Sequence, residues 1–147
     1  MAIDDCTRLV YAEMLPNEKK ETTTGFALRA LRWFKEQGIK VYRVLTDNGP
    51  SYRSKLFNKL LQRLKLRHLL TRPYHPQTNG KAERWIQTSL REYFYKRIFN
   101  SSDERKKGLP GFLEYYNDHR NHHGINLMTP REKLLQLQAM EEMGVEM

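Results

Sequence analysis

Residues 23 to 37, TTGFALRALRWFKEQ, set Phe26, Ala27, Ala30, Leu31 and Phe34 three and four residues apart. That spacing is one face of an α-helix, and Gly38 supplies its stop. The flanking segments have a different character. RLVYAEML (8–15) and IKVYRVLT (39–46) are β-branched and aromatic runs in rough alternation, the pattern of strands. A strand, an amphipathic helix and a second strand in succession point to an α/β fold, in which a sheet buries itself against helices.

The pattern continues downstream. Ser54 is placed to cap a helix over KLFNKLLQRLK, with Leu56, Leu60, Leu61 and Leu64 on one face, and LRHLLT (66–71) reads as a third strand. RPYHPQTNG (72–80) has two prolines, an Asn-Gly pair and no period, so it is a loop. A long helix is expected from about Gly80 to Ile98, along the stripe of Ala82, Ile86, Leu90, Tyr93 and Phe94. NSSDERKKGLP (100–110) reads as capping residues and a turn, and GFLEYYNDHRN (111–121) as a further helix. Thr129 before Pro130 marks the N-cap of the last helix.

At 147 residues the chain suits one domain with a single core. No apolar run approaches the roughly 18 residues of a transmembrane helix. The acidic MAIDDCTRLVYAEML lacks the basic start of a secretory signal, and the lone Cys6 has no internal partner, so a cytoplasmic protein is expected. Lys and Arg number 26 against 17 Asp and Glu, a net charge of +9, which favours a polyanionic partner.

Two carboxylates stand out against that charge. Asp47 ends the second strand in VLTDNGPSYRS, at the carboxyl edge where ligands gather in such sheets. Glu83 lies just inside the long helix in TRPYHPQTNGKAERW, with 35 residues between the two. Taken singly, each has a structural explanation: Asp-Asn-Gly is ordinary turn chemistry, and an acid in a first helical turn suits the helix dipole. If the loop brings them together, the pair suits Mg²⁺, which commonly takes one or two carboxylates plus phosphate oxygens. Arg72, Tyr74, His75, Gln77, Asn79, Lys81 and Arg84 crowd around Glu83, mixing phosphate donors with a stacking ring.

Together, VLTDNGPSYRS, TRPYHPQTNGKAERW and the later YNDHRNHHGINLMTPRE resemble the DDE integrase core of bacterial insertion-sequence transposases, within the retroviral-integrase superfamily. The likeness runs from about Ala2 to Glu132. It implies a ribonuclease H-like fold, a mixed sheet with flanking helices over 1–132, followed by a helical tail over 133–147. It implies catalytic and metal-binding roles for Asp47 and Glu83, with Mg²⁺ as cofactor and Mn²⁺ as substitute. The residues from Arg72 to Arg84 would lie beside DNA, as transposon ends or target, and a homo-oligomer or an intact transposase is the implied protein partner. The family gives no metal role to His119, His122 or His123, and Asn121 stands where proline is usual.

The resemblance also implies a gap. In the family the first catalytic Asp lies on an opening strand upstream of the segment that MAIDDCTRLVYAEML resembles. The expectation is therefore an N-terminally truncated core whose first strand is missing, with Asp4 or Asp5 as a substitute ligand. Metal-dependent strand cleavage and transfer is the leading function. The alternative is a catalytically inactive DNA-binding or oligomerising remnant, so whether this chain is itself an enzyme stays open.

Overall fold

A computed structural model describes residues 1–71, 80–94, 96 and 98–144. The elements in order are β1 (Ala2–Ile3), β2 (Val10–Tyr11), α1 (Lys20–Glu36), β3 (Arg43–Thr46), α2 (Lys55–Arg63), β4 (Arg67–Leu70), α3 (Gly80–Ser89), α4 (Ser102–Glu114) and α5 (Pro130–Glu142). A π-helical turn, Leu90–Phe94, follows α3, and another, Tyr115–His119, follows α4. The chain divides into two compact units, one formed by residues 1–12 and 85–147 and the other by residues 13–84.

The described residues of the unit 13–84 form a βαβ motif, β3–α2–β4, preceded by α1 and followed by the start of α3. Asn17 accepts from the Lys19 N–H and the Thr22 hydroxyl, a side-chain turn that starts α1 where Lys19 offers no cap of its own. Thr23, Phe26, Ala30 and Phe34 form the buried stripe of α1, as the spacing predicts. Gly38, at φ 83°, closes the helix while the Ile39 N–H returns to the Phe34 carbonyl at 3.0 Å. The Ser54 hydroxyl accepts from the Phe57 N–H and caps α2, which buries Phe57 and Leu61. The α2 crossover lets β3 and β4 pair in parallel, with Val44 opposite His68 and Thr46 opposite Leu70.

In the other unit, β1 and β2 form an antiparallel hairpin, Ala2 opposite Tyr11 and Ile3 opposite Val10. Its turn is held by Asp4, whose carboxylate accepts from the Thr7 N–H at 3.0 Å and the Thr7 hydroxyl at 2.6 Å. The core gathers on Tyr93, which stacks on Phe112 with centroids 5.0 Å apart and donates to the Arg105 carbonyl at 2.9 Å. Arg120 grips Glu92 through two guanidinium nitrogens, and Asn117 clamps the backbone of Val10. Thr129 and Glu132 form a reciprocal capping box at the start of α5, with Pro130 in the first turn.

Three expectations change. Strands 8–15 and 39–46 shorten to Val10–Tyr11 and Arg43–Thr46. The long helix keeps its α-helical form only to Ser89, then widens into a π-turn. Residues 102–110 are helix, not turn. The Ser101 hydroxyl accepts from the Glu104 N–H, and Asp103 and Glu104 favour the helix N-terminus. Gly108 and Pro110 disguise that helix in the sequence, since both are poor helix formers. Packing overrides them, because Leu109 and Phe112 are buried.

Candidate functional site

Asp47 follows directly on the last residue of β3, and its position comes from turn chemistry. Its Oδ1 accepts from the Gly49 N–H at 2.8 Å, a side-chain-to-backbone turn that holds the carboxylate in place. Gly49 has to be small here, since a Cβ would stand 2.9 Å from Asp47 Oδ1. Asp47 is exposed, and its Oδ2 has no hydrogen-bond partner among the described residues. Asn48 donates through Nδ2 to the Thr71 carbonyl at 2.7 Å, so the turn is tied to the end of β4.

Three residues that the sequence reading did not single out support this strand end. Asn58 on α2 donates Nδ2 to the carbonyls of Tyr52 and Ser54, which orients its amide and aims Oδ1 at His68 Nδ1, 2.8 Å away. With Nδ1–H donating to Asn58, Nε2 of His68 accepts from the Thr46 hydroxyl at 2.8 Å, which leaves that hydroxyl no proton for the Asp47 carbonyl 3.0 Å away. The chain of polar groups thus runs from helix to strand and ends at Thr46, the residue before the candidate ligand. Burial lowers the pKa of His68 below 6.5 and favours the neutral ring. Nearby, Tyr52 is pushed above 10.0, first by burial and then by the negative charges of Asp47 and Glu18. No sequence signal marks His68 or Asn58, because their link depends on α2 lying over β4.

Glu83 is the fourth residue of α3. Its side chain and that of Lys81 lie outside the described residues, and Arg84 is exposed. Arg72, Tyr74, His75, Gln77 and Asn79 also lie outside the described residues. Both Thr7 bonds fall on Asp4 Oδ2, which fixes that carboxylate in its own turn, and Asp5 is exposed in the same turn. Among the described residues no group of three His, Cys, Asp or Glu side chains is placed to hold a metal. The donor chemistry of Asp47 nevertheless suits a hard divalent cation: an exposed, preoriented carboxylate with one oxygen uncommitted.

His122 stands edge-on to Tyr116 at 4.6 Å between ring centroids. Its pKa is lowered, chiefly by burial and also by the cationic Arg120 and Arg8, against a raising bond to the Tyr116 carbonyl. Among the described residues no helix is long and apolar enough to cross a membrane.

The Integrase core domain family matches residues 1–76, and a second family of the same description matches residues 64–130. A putative transposase InsD for insertion element IS2E of Escherichia coli (strain K12) is 32% identical over 139 residues, which is 92% of this chain and 64% of that protein. A putative integrase ORF3 of Spiroplasma virus SpV1-C74 is 29% identical over 142 residues, 87% of this chain and 39% of that protein. The chain spans 11% of a Pol-related polyprotein of the mouse intracisternal a-particle MIA14, to which it is 34% identical over 98 residues. Among solved structures, the catalytic core domain of BIV integrase superposes with a TM-score of 0.70 at 22% identity, covering 95% of this chain and 86% of that one. With a parallel βαβ unit, an antiparallel hairpin and flanking helices, the chain has the ribonuclease H-like fold of retroviral integrase cores, and it belongs to the integrase core domain family.

Proposed function

We propose that this chain works in DNA transposition or integration, as the core that cleaves and joins DNA strands, with Asp47 and Glu83 as the metal-holding carboxylates. The observation that carries the reading is Asp47 itself: a carboxylate held by the Gly49 N–H at the carboxyl end of β3, inside the region that matches the family. When bound, Mg²⁺ or Mn²⁺ supplies the means to activate a water or hydroxyl nucleophile and to neutralise charge at the phosphate. The protein's share is placement. Gly49 orients Asp47, Asn48 ties its turn to β4, and the Asn58–His68–Thr46 chain fixes the strand end. Arg72, Tyr74, His75, Gln77, Asn79, Lys81 and Arg84 are proposed to hold the DNA, by phosphate contacts and base stacking. A second copy, or an intact transposase, is the proposed protein partner.

One observation favours a second reading, a DNA-binding or oligomerising remnant without catalysis. Asp4, a candidate for the third carboxylate, has its Oδ2 held twice by Thr7, which serves its own hairpin turn. Nicking of supercoiled plasmid in Mn²⁺ separates the two. The catalytic reading expects nicking by the unaltered chain, abolished by Asp47→Asn with DNA binding retained. Binding without nicking under either metal selects the remnant.

A further inference from the structure

The amino ends of β3 and β4, opposite to Asp47, carry an unusual concentration of positive charge. The stretches KVYR (40–43) and RLKLR (63–67) contain five cations and no acid. The parallel register brings them together: Arg43 is the direct partner of Arg67, and the Arg67 N–H donates to the Tyr42 carbonyl at 3.1 Å. Lys40, Arg43, Arg63, Lys65 and Arg67 are all exposed, and none makes an ion pair among the described residues.

Helix dipoles explain part of this. Arg63 sits in the last turn of α2, where a cation is favoured. The rest runs against local energetics. Like charges directly opposite on neighbouring strands destabilise a sheet. Lys65 occupies a left-handed position, φ 58°, where the corresponding residue after α1 is Gly38. Two unfavourable choices at one sheet end are consistent with a surface shaped for a ligand.

The geometry also defines the ligand. His68 meets Asn58 and Phe57 of α2, so by alternation Arg67 and its partner Arg43 point to the other face of the sheet. Two long guanidinium side chains set on strands roughly 4.8 Å apart, on one face, can each take a phosphate of the same nucleic-acid strand. Tyr42, 66% exposed and one residue before Arg43, points by the same alternation to the opposite face, where the Lys40 ammonium lies 5.4 Å from its ring centroid.

We propose that Arg43 and Arg67 form a second DNA-backbone contact, at the end of the β3–β4 sheet remote from Asp47. The partner is duplex DNA, bound without base selection. The proposal shares with the proposed function only the DNA partner, not the catalytic assignment.

Fluorescence anisotropy with a random-sequence duplex, over a KCl series, tests it on the full chain. Each phosphate contact contributes about 0.9 to the slope of log K against log salt. The double variant R43A/R67A is expected to lower that slope by roughly 1.8, whereas R43K/R67K keeps it. A charge-matched control, K106A/K107A on α4, is expected to lose less than half as much. Circular dichroism shows whether R43A/R67A is folded, and its Tm should equal or exceed that of the unaltered chain because like-charge repulsion is relieved. A folded R43A/R67A with an unchanged slope overturns this surface alone, as does an equal loss in the control. Failure of the unaltered chain to bind duplex DNA overturns the proposed function as well. A slope loss seen with single-stranded RNA but not with duplex DNA overturns the choice of partner.

Discussion

Asn117 holds both backbone polar groups of Val10: its Oδ1 accepts from the Val10 N–H at 2.9 Å, and its Nδ2 donates to the Val10 carbonyl at 2.9 Å. The amide acts as a one-residue strand, closing an edge of β2 from a π-turn 107 positions away in sequence. Both residues are buried, so neither backbone group has water as a substitute. Asn117→Ala is expected to cost about 2–4 kcal/mol in urea unfolding, since each orphaned group costs roughly 1–3 kcal/mol. A loss below about 0.5 kcal/mol would show that the clamp is dispensable.

Gly108 meets Tyr93 at a distance that leaves no room for a methyl group. A Cβ there would lie 2.3 Å from the Tyr93 hydroxyl, the group that bonds the Arg105 carbonyl. Gly108→Ala should therefore destabilise the fold by about 1–3 kcal/mol despite alanine's better helix propensity. Adding Tyr93→Phe removes the clashing oxygen. The double variant should be more stable than the sum of the single changes predicts, by about 1 kcal/mol or more. Strict additivity would mean that the two side chains do not meet.

Gly49→Ala tests the seat of Asp47 without removing its charge. The new methyl group would press on Oδ1 and displace it from the Gly49 N–H. Metal-dependent nicking should fall about tenfold or more, because a misplacement of about 1 Å can cost 10²-fold. Binding of duplex DNA should be unaffected. Equal nicking by Gly49→Ala and the unaltered chain would remove the turn from the account of the site.

Acid should weaken the fold through His68 and His122. Burial lowers both folded-state pKa values below 6.5, so the unfolded chain binds protons that the folded chain refuses. Their contribution is complete above the unfolded value of about 6.5 and is lost as pH falls from there through the folded values. The midpoint of urea unfolding should drop between pH 7.5 and pH 5. The drop should be smaller in His122→Phe, which keeps a ring against Tyr116. An equal drop in that variant would assign the acid sensitivity elsewhere.

Much of this protein is readable wherever one element suffices to explain it. The stripe of Phe26, Ala30 and Phe34, the Ser54 cap, the stop at Gly38 and the Thr129–Glu132 box depend on residues at most a few positions apart. Those features follow from helix geometry, so the sequence by itself determines α1, α2, α5 and the βαβ order. It also determines the turn at Asp47, because Asp and Gly two residues apart make that bond on their own. The motif blocks that mark the integrase core are equally local. Tertiary structure decided the rest. Ser102–Glu114 is helical through Gly108 and Pro110 because Tyr93 and the aromatic core require that path. Val10 is closed by Asn117, His68 is oriented by Asn58, and Arg43 lies against Arg67, only because distant segments fold together. Local chemistry reveals what a residue can do, whereas its partner is set by packing that no short window of sequence contains.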